Sequence, residues 1–186
     1  MKSAIKTKKP IKFGKTILIN RLMYSEGTKH SIAENIKRHN PEITDEALEQ
    51  EVMAHIRRDN RYNAVMDEVA SAYEFTVDEE EVSERIAVMK EEYPEGNDEA
   101  FRNSVLISIY KKLIYQDLAN DWELQISDDE VRITLESYYK STGNPIREYL
   151  TNRERFEEVR ETLIEQVVTD RLLNAFKVEF NLEREN

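Results

Sequence analysis

Cysteine is absent from this 186-residue sequence, which excludes a disulfide framework and any thiolate chemistry. Glycine and proline occur four times each, too few for the turns of a β-rich fold. No apolar run approaches the 18 residues or so that a membrane span needs, so no membrane contact is expected. The basic N-terminus is not followed by an apolar stretch of signal-peptide length, since Ile17–Ile19 is too short. The expected compartment is the cytoplasm. The three histidines, His30, His39 and His55, are far apart and form no metal-ligand pair. There is no Walker loop, no GxGxxG and no GxSxG. Neither an enzyme nor a cofactor is expected.

Charge is abundant, at 35% of residues against 39% hydrophobic. That is lean for a closed globule. It suits amphipathic helices, each of which keeps a wide wet face. The net charge of −11 is unevenly spread. Residues 1–40 carry ten Lys or Arg against Glu26 and Glu34, a balance of +8. Residues 41–186 carry 17 against 36, a balance of −19. Lys6, Lys8, Lys9, Lys12 and Lys15 are candidates for binding RNA or another anionic surface. The same lysines could equally lie on the protein's own acidic body. With few apolar groups, residues 1–16 are expected to be a mobile tail.

The helices announce themselves by their caps. Ser127 with Glu130 three residues on forms a capping-box signature, and Asp128 and Asp129 add negative charge to the first turn. Leu118, Ala119 and Trp122 close the preceding helix, and Leu124 and Ile126 form a short extended bridge. The device recurs, because residues 73–89 align without a gap on 122–138. Tyr73 matches Trp122, Phe75 matches Leu124, Val77 matches Ile126 and Val82 matches Val131. A shorter copy lies at Ile43–Leu48.

Around these bridges the spacing predicts further helices. One covers Ser31–His39, after a break at Gly27 and Thr28. Another runs from Thr44 to about Ala72, with Leu48, Val52 and Ile56 in its stripe and a kink near Asn60. A third starts at Asp78, with Glu81 at its third position. The best core helix starts at cap Asp98 and carries Phe101, Val105, Ile109 and Leu113, with Ile107 and Ile114 broadening the face. Gly143 should close the helix from Asp128 as a left-handed cap. Pro145 starts a short helix and Thr151 the last one, lined by Phe156, Val159 and Leu163. Ile17–Tyr24 is either a strand or a helical turn, and Lys177–Phe180 could add two extended residues. The domains expected are residues 1–27 as a basic, partly mobile segment, 28–97 as a helical arm region and 98–186 as a helical body.

Tyr93, Tyr138, Tyr139 and Tyr149 sit near helix ends or loops, and Met66 and Met89 on or beside the stripes. Tyrosine and methionine suit surfaces that repack against varied partners. They also fill gaps between helices. A lean core makes exposed apolar patches more probable and favours the first reading for the set.

Residues 98–180 resemble the C-terminal chaperone domain of trigger factor, and more broadly the trigger factor/SurA peptide-binding superfamily. The resemblance rests on Leu124, Ile126, Ser127, Asp128, Asp129, Glu130 and Val131, then Tyr139 with Gly143, then Pro145, and finally Leu172, Leu173, Ala175, Phe176, Lys177 and Val178. It extends weakly back to about residue 44. It implies an all-α fold, an elongated multi-helix assembly whose long arms form a cradle. It implies an ATP-independent holdase that binds unfolded or nascent polypeptides, with Met66, Met89, Tyr93, Tyr138, Tyr139 and Tyr149 as client-binding candidates. Phe13-Gly14-Lys15 does not reproduce the ribosome-docking loop, and there is no room for a prolyl isomerase domain. Those two activities therefore do not carry over. Competing expectations are an adaptor that holds one partner, and ribosome or RNA contact through residues 1–16. Arms with apolar faces also leave homodimerisation open.

Overall fold

Seven helices and four short strands make up residues 2–182, the part that the computed structural model describes. In chain order they are β1 (Ala4–Lys8), β2 (Thr16–Ile19), α1 (Glu26–His39), α2 (Asp45–Ala70), β3 (Tyr73–Thr76), α3 (Glu79–Glu92), α4 (Asp98–Asp121), α5 (Asp128–Thr142), α6 (Arg147–Thr151), α7 (Arg153–Ala175) and β4 (Lys177–Phe180). The fold is predominantly helical, as expected, with two small two-stranded sheets beside the helices.

The chain divides into two units that interleave in sequence. The first takes the residues up to Lys8 and Tyr73–Arg171; the second takes Lys9–Ala72 and the chain from Leu172 on. This replaces the sequence-based division at 27/28 and 97/98. Periodicity reports local structure, and it cannot see that β1 pairs with β3 or β2 with β4.

In the first unit, β1 runs antiparallel to β3, with Ile5 opposite Phe75. Residues 4–8 are therefore a paired strand rather than a tail. The ribbon lies against α4 through a ladder of rings. Phe75 stacks on Tyr110 at 4.3 Å and on Tyr73 at 6.0 Å. Helices α3 and α4 form a hairpin whose core is Val82, Val105, Ile109 and Leu113, with Ile86 and Met89 packed beside it. Each fully buried Val or Ile contributes about 1.5–3 kcal/mol. At the hairpin turn Gly96 lies against Phe101, and a Cβ there would come within 1.8 Å of the ring. Ile107 falls outside the core stripe and is exposed, because it sits two residues from both Val105 and Ile109, on the opposite side of α4. A second cluster joins α5 to α7 through Val131, Leu135 and Phe156, with Tyr149 and Leu163 at its edge. Arg160 reaches from α7 to the Ile126 carbonyl and the Asp128 carboxylate.

The second unit is built on α1 and α2. Ile36, Val52 and Ile56 form its core, joined by Leu22, Ile32 and Leu48. Strand β2 pairs with β4 in parallel, Ile17 opposite Val178 and Ile19 opposite Phe180. α2 is a single uninterrupted helix through Asn60. The Asn60 amide pairs with the main chain of residue 23 much as a neighbouring strand would. Its Oδ1 accepts from the Met23 N–H at 2.7 Å, and its Nδ2 donates to the Met23 carbonyl at 2.9 Å.

Thr44, Asp78 and Ser127 cap their helices as expected, and Gly143 adopts φ 71°. Elsewhere the caps shift. Ser25 caps α1, so Gly27 and Thr28 lie inside it. Asn97, not Asp98, caps α4. Pro145 precedes α6 without starting it, and Asn152 rather than Thr151 receives the first N–H groups of α7. At α1, α4 and α7 a neighbouring polar side chain accepts the first N–H groups instead, while α6 starts after Ile146 with no side-chain cap. Residues 122–125 form no strand, whereas their counterparts 73–76 are paired with β1.

Candidate binding surfaces

Met89, Tyr93, Tyr138, Tyr139 and Tyr149 belong to the first unit and Met66 to the second, so the six do not form one continuous set. Tyr93 closes α3, its N–H donating to the Met89 carbonyl at 2.8 Å, and its ring is exposed. Tyr138 and Tyr139 stand exposed in the last turns of α5. The Tyr138 hydroxyl accepts from Asn144 Nδ2 at 2.8 Å, which fixes that ring over the turn after α5. Met89 and Tyr149 are half-buried and pack on the two core clusters. They fill gaps, as the plainer sequence reading allowed. Met66 is also half-buried.

The structure adds apolar groups that sequence reasoning missed. In the first unit Ile107 is 67% exposed, Val88 65% and Ile133 63%. Spacing assigns Ile107 to the core face of its helix, and Val88 and Ile133 stand off the stripes that periodicity picks out. A cleft of about 390 Å³ opens between α4 and α7, floored by Tyr115, Ala119, Leu124 and Ile164. Gln116 and Asn120 line one wall, and Lys112 faces Glu161 across the mouth at 3.4 Å. The Tyr115 hydroxyl meets Thr169 Oγ1 at 2.8 Å, so the polar end of this buried ring is satisfied.

The candidate basic residues are divided as well. Lys6 and Lys8 lie on β1 in the first unit, while Lys9, Lys12 and Lys15 lie in the second. Lys8 sits 2.6 Å from Asp117 and also pairs with Asp121. Burial works against its charge, but the two carboxylates outweigh it and hold its pKa above the ordinary value. Tyr73 donates to the same Asp117 at 2.8 Å. Burial, with that carboxylate, pushes its phenol far above the usual range. Lys15 pairs with Glu68 at 2.6 Å. Lys9, Lys12 and Lys15 border a hollow of about 330 Å³ beside Glu68, Ser71 and Ala72. Part of the basic segment thus lies on acidic groups of its own unit.

Glu81 is the most perturbed carboxylate. The main-chain N–H groups of Ser3 and Lys2 donate to its Oε2 at 2.9 and 3.0 Å, and Arg85 donates to Oε1 at 2.8 Å. The Ser3 bond is the leading cause that lowers its pKa to about 2. Its role is structural: it ties the start of β1 to the first turn of α3. Among the described residues no group of three or more His, Cys, Asp or Glu could hold a metal ion. Nor is any helix of these residues long and apolar enough to cross a membrane.

Comparison with known proteins places this geometry. The uncharacterized protein MG377 of Mycoplasma genitalium is 31% identical over 183 residues, spanning 98% of this chain and 95% of that protein. This chain belongs to the MG377 family. A homologue of MG377 in Mycoplasma pneumoniae is 27% identical over the same length. The crystal structure of the hypothetical Mycoplasma protein MPN555 matches with a TM-score of 0.77 and 26% identity, covering 97% of this chain and 92% of that one. No family model matches the chain. Members of the MG377 family thus share essentially the full length seen here, both units included.

Proposed function

We propose that this member of the MG377 family is an ATP-independent holdase that binds unfolded or partly folded polypeptides on its helical first unit. The supporting observation is the exposed apolar set of that unit. Ile107, Val88, Ile133, Tyr93, Tyr138 and Tyr139 stand in water on α3, α4 and α5 or at their ends. An unfolded chain that covers such groups gains about 25 cal/mol per Å² of apolar area. The groups are scattered, so each contact is weak and replaceable, and release needs no nucleotide. The unit holds 25 acidic against 15 basic side chains, a balance of −10, which favours basic clients and keeps the unit soluble when loaded. The resemblance to the trigger factor chaperone domain, through the Ser127–Val131 start of α5 and Gly143, points the same way. In this reading the α3–α4 hairpin and the α5–α7 cluster act as the arms of a client cradle in the cytoplasm.

The test is aggregation of a chemically denatured, unrelated protein, followed by light scattering without nucleotide. Suppression at equimolar protein or below is expected, weakened by Ile107→Ser together with Ile133→Ser at unchanged melting temperature. No protection at severalfold molar excess would reject the reading. A pull-down that returned one stoichiometric protein would instead identify an adaptor.

A further inference from the structure

Strand β2 has one free edge. In a parallel pair, alternate residues of each strand turn their N–H and C=O toward the neighbour. The Lys177 N–H bonds the Lys15 carbonyl at 3.3 Å, and the Asn181 N–H bonds the Ile19 carbonyl at 2.9 Å. With Ile17 opposite Val178, this register gives Lys15, Ile17 and Ile19 to β4. Thr16 and Leu18 therefore direct their main-chain groups away from β4. Among the described residues the sheet has two strands, and no other residue bonds the N–H or C=O of Leu18. On the faces of the sheet, Ile19 is buried and Leu18 is 57% exposed, so the strand's outer face is open to water beside that edge. An exposed edge of this kind is a template for strand addition.

The surroundings select the added strand. Residues 1–25 contain no Asp or Glu. Lys12 and Lys15 precede β2 and Arg21 follows it, so positive charge flanks both ends. Lys15 is neutralised by Glu68, while Lys12 and Arg21 hold no ion pair among the described residues. The same stretch exposes Phe13, Met23 and Tyr24 beside Leu18. Met23 is 73% exposed although its main chain is clamped by Asn60, so it is held outward in a fixed place. A second copy of β2 would bring like charges together at both ends.

We propose that the Thr16–Ile19 edge receives an extended segment of another polypeptide, apolar at its centre and acidic at both flanks, as a third strand beside β2. The inference does not depend on the holdase reading, because this edge lies in the second unit and the exposed apolar set of that reading lies in the first. Affinity comes from main-chain bonds at Thr16 and Leu18, and selectivity from Lys12 and Arg21.

The experiment is fluorescence anisotropy with the full chain and a labelled peptide, Asp-Glu-Val-Thr-Val-Thr-Glu-Asp. Saturable binding is expected that weakens with added salt. Leu18→Pro removes the outward N–H without touching a bond to β4, so at least a tenfold loss is expected at unchanged helical content. A peptide N-methylated at alternate residues should show the same loss against the unaltered protein, which covers the case where the proline variant misfolds. Lys12→Glu with Arg21→Glu should also lower affinity at least tenfold. Equal binding of the N-methylated peptide would overturn the proposal. So would tighter binding of the same peptide with Lys and Arg flanks. A uridine oligonucleotide that outcompetes the peptide would reassign the edge to RNA. A dimer seen by sedimentation and abolished by Leu18→Pro would reassign it to self-pairing.

Discussion

Replacing Glu81 with glutamine tests the tie between β1 and α3. The carboxylate accepts main-chain bonds from Lys2 and Ser3 and a charged bond from Arg85, and it is almost wholly buried. Its pKa falls from an ordinary 4.5 to about 2. Each unit of such a difference is worth about 1.4 kcal/mol, so the ceiling is about 3.5 kcal/mol, reduced to about 2 kcal/mol by solvent screening at the edge of the site. The folded-state pKa is depressed, so this stability is present above pH 4.5 and is lost as pH falls toward 2. Urea unfolding of the wild type and Glu81→Gln, followed by circular dichroism from pH 7 to pH 3, measures it. The variant should be about 2 kcal/mol less stable at neutral pH, and the gap should shrink by more than half at pH 3. Two stability curves that stay parallel across that range would refute the assignment.

Asn60→Ala leaves the Met23 N–H and carbonyl without partners and should cost about 2–4 kcal/mol in the same urea assay. Gly96→Ala forces a Cβ into the Phe101 ring and should destabilise the first unit by about 1–3 kcal/mol, read as a lower thermal midpoint. Gly143→Ala must hold a left-handed φ of 71° and should cost about 1 kcal/mol, with no clash to add to it. Tyr73→Phe removes the hydroxyl bond to Asp117; a loss of about 1 kcal/mol in thermal unfolding is expected, since Lys8 still neutralises that carboxylate.

Sequence reading reached the helices because their signals are local. The stripe Val52, Ile56, Val65, Val69 is buried as its spacing requires, and Val82 and Val131, matched through the internal repeat, are both fully buried. The repeat also shows where local signals stop. Glu130 closes its box on Ser127. Glu81 occupies the same position in its own copy, yet its carboxylate turns to Lys2 and Ser3, some eighty residues away. No spacing rule reports that choice, and the expectation of a loose basic tail failed for the same reason. Exposure was legible for Tyr93, Tyr138 and Tyr139, which end helices. It was not legible for Met89 and Tyr149, whose burial depends on neighbours distant in sequence. Nor were the outward main-chain groups of Thr16 and Leu18 legible, because they follow from the register in which the last strand pairs with β2.

The threading of the two units bears on how the protein comes into being. Thr16–Ile19 waits for its mate Lys177–Phe180 across some 160 residues of later synthesis. Throughout that interval Ile17 and Ile19 have no strand beside them, while α3–α5 can already fold around completed local cores. A ribosome that stalls shortly before residue 176 would therefore display a nearly finished α3–α4 hairpin and an unfinished second unit. Neither unit can be cut out as one continuous gene fragment, and the second unit by itself requires a gene that links residues 9–72 to 172–182.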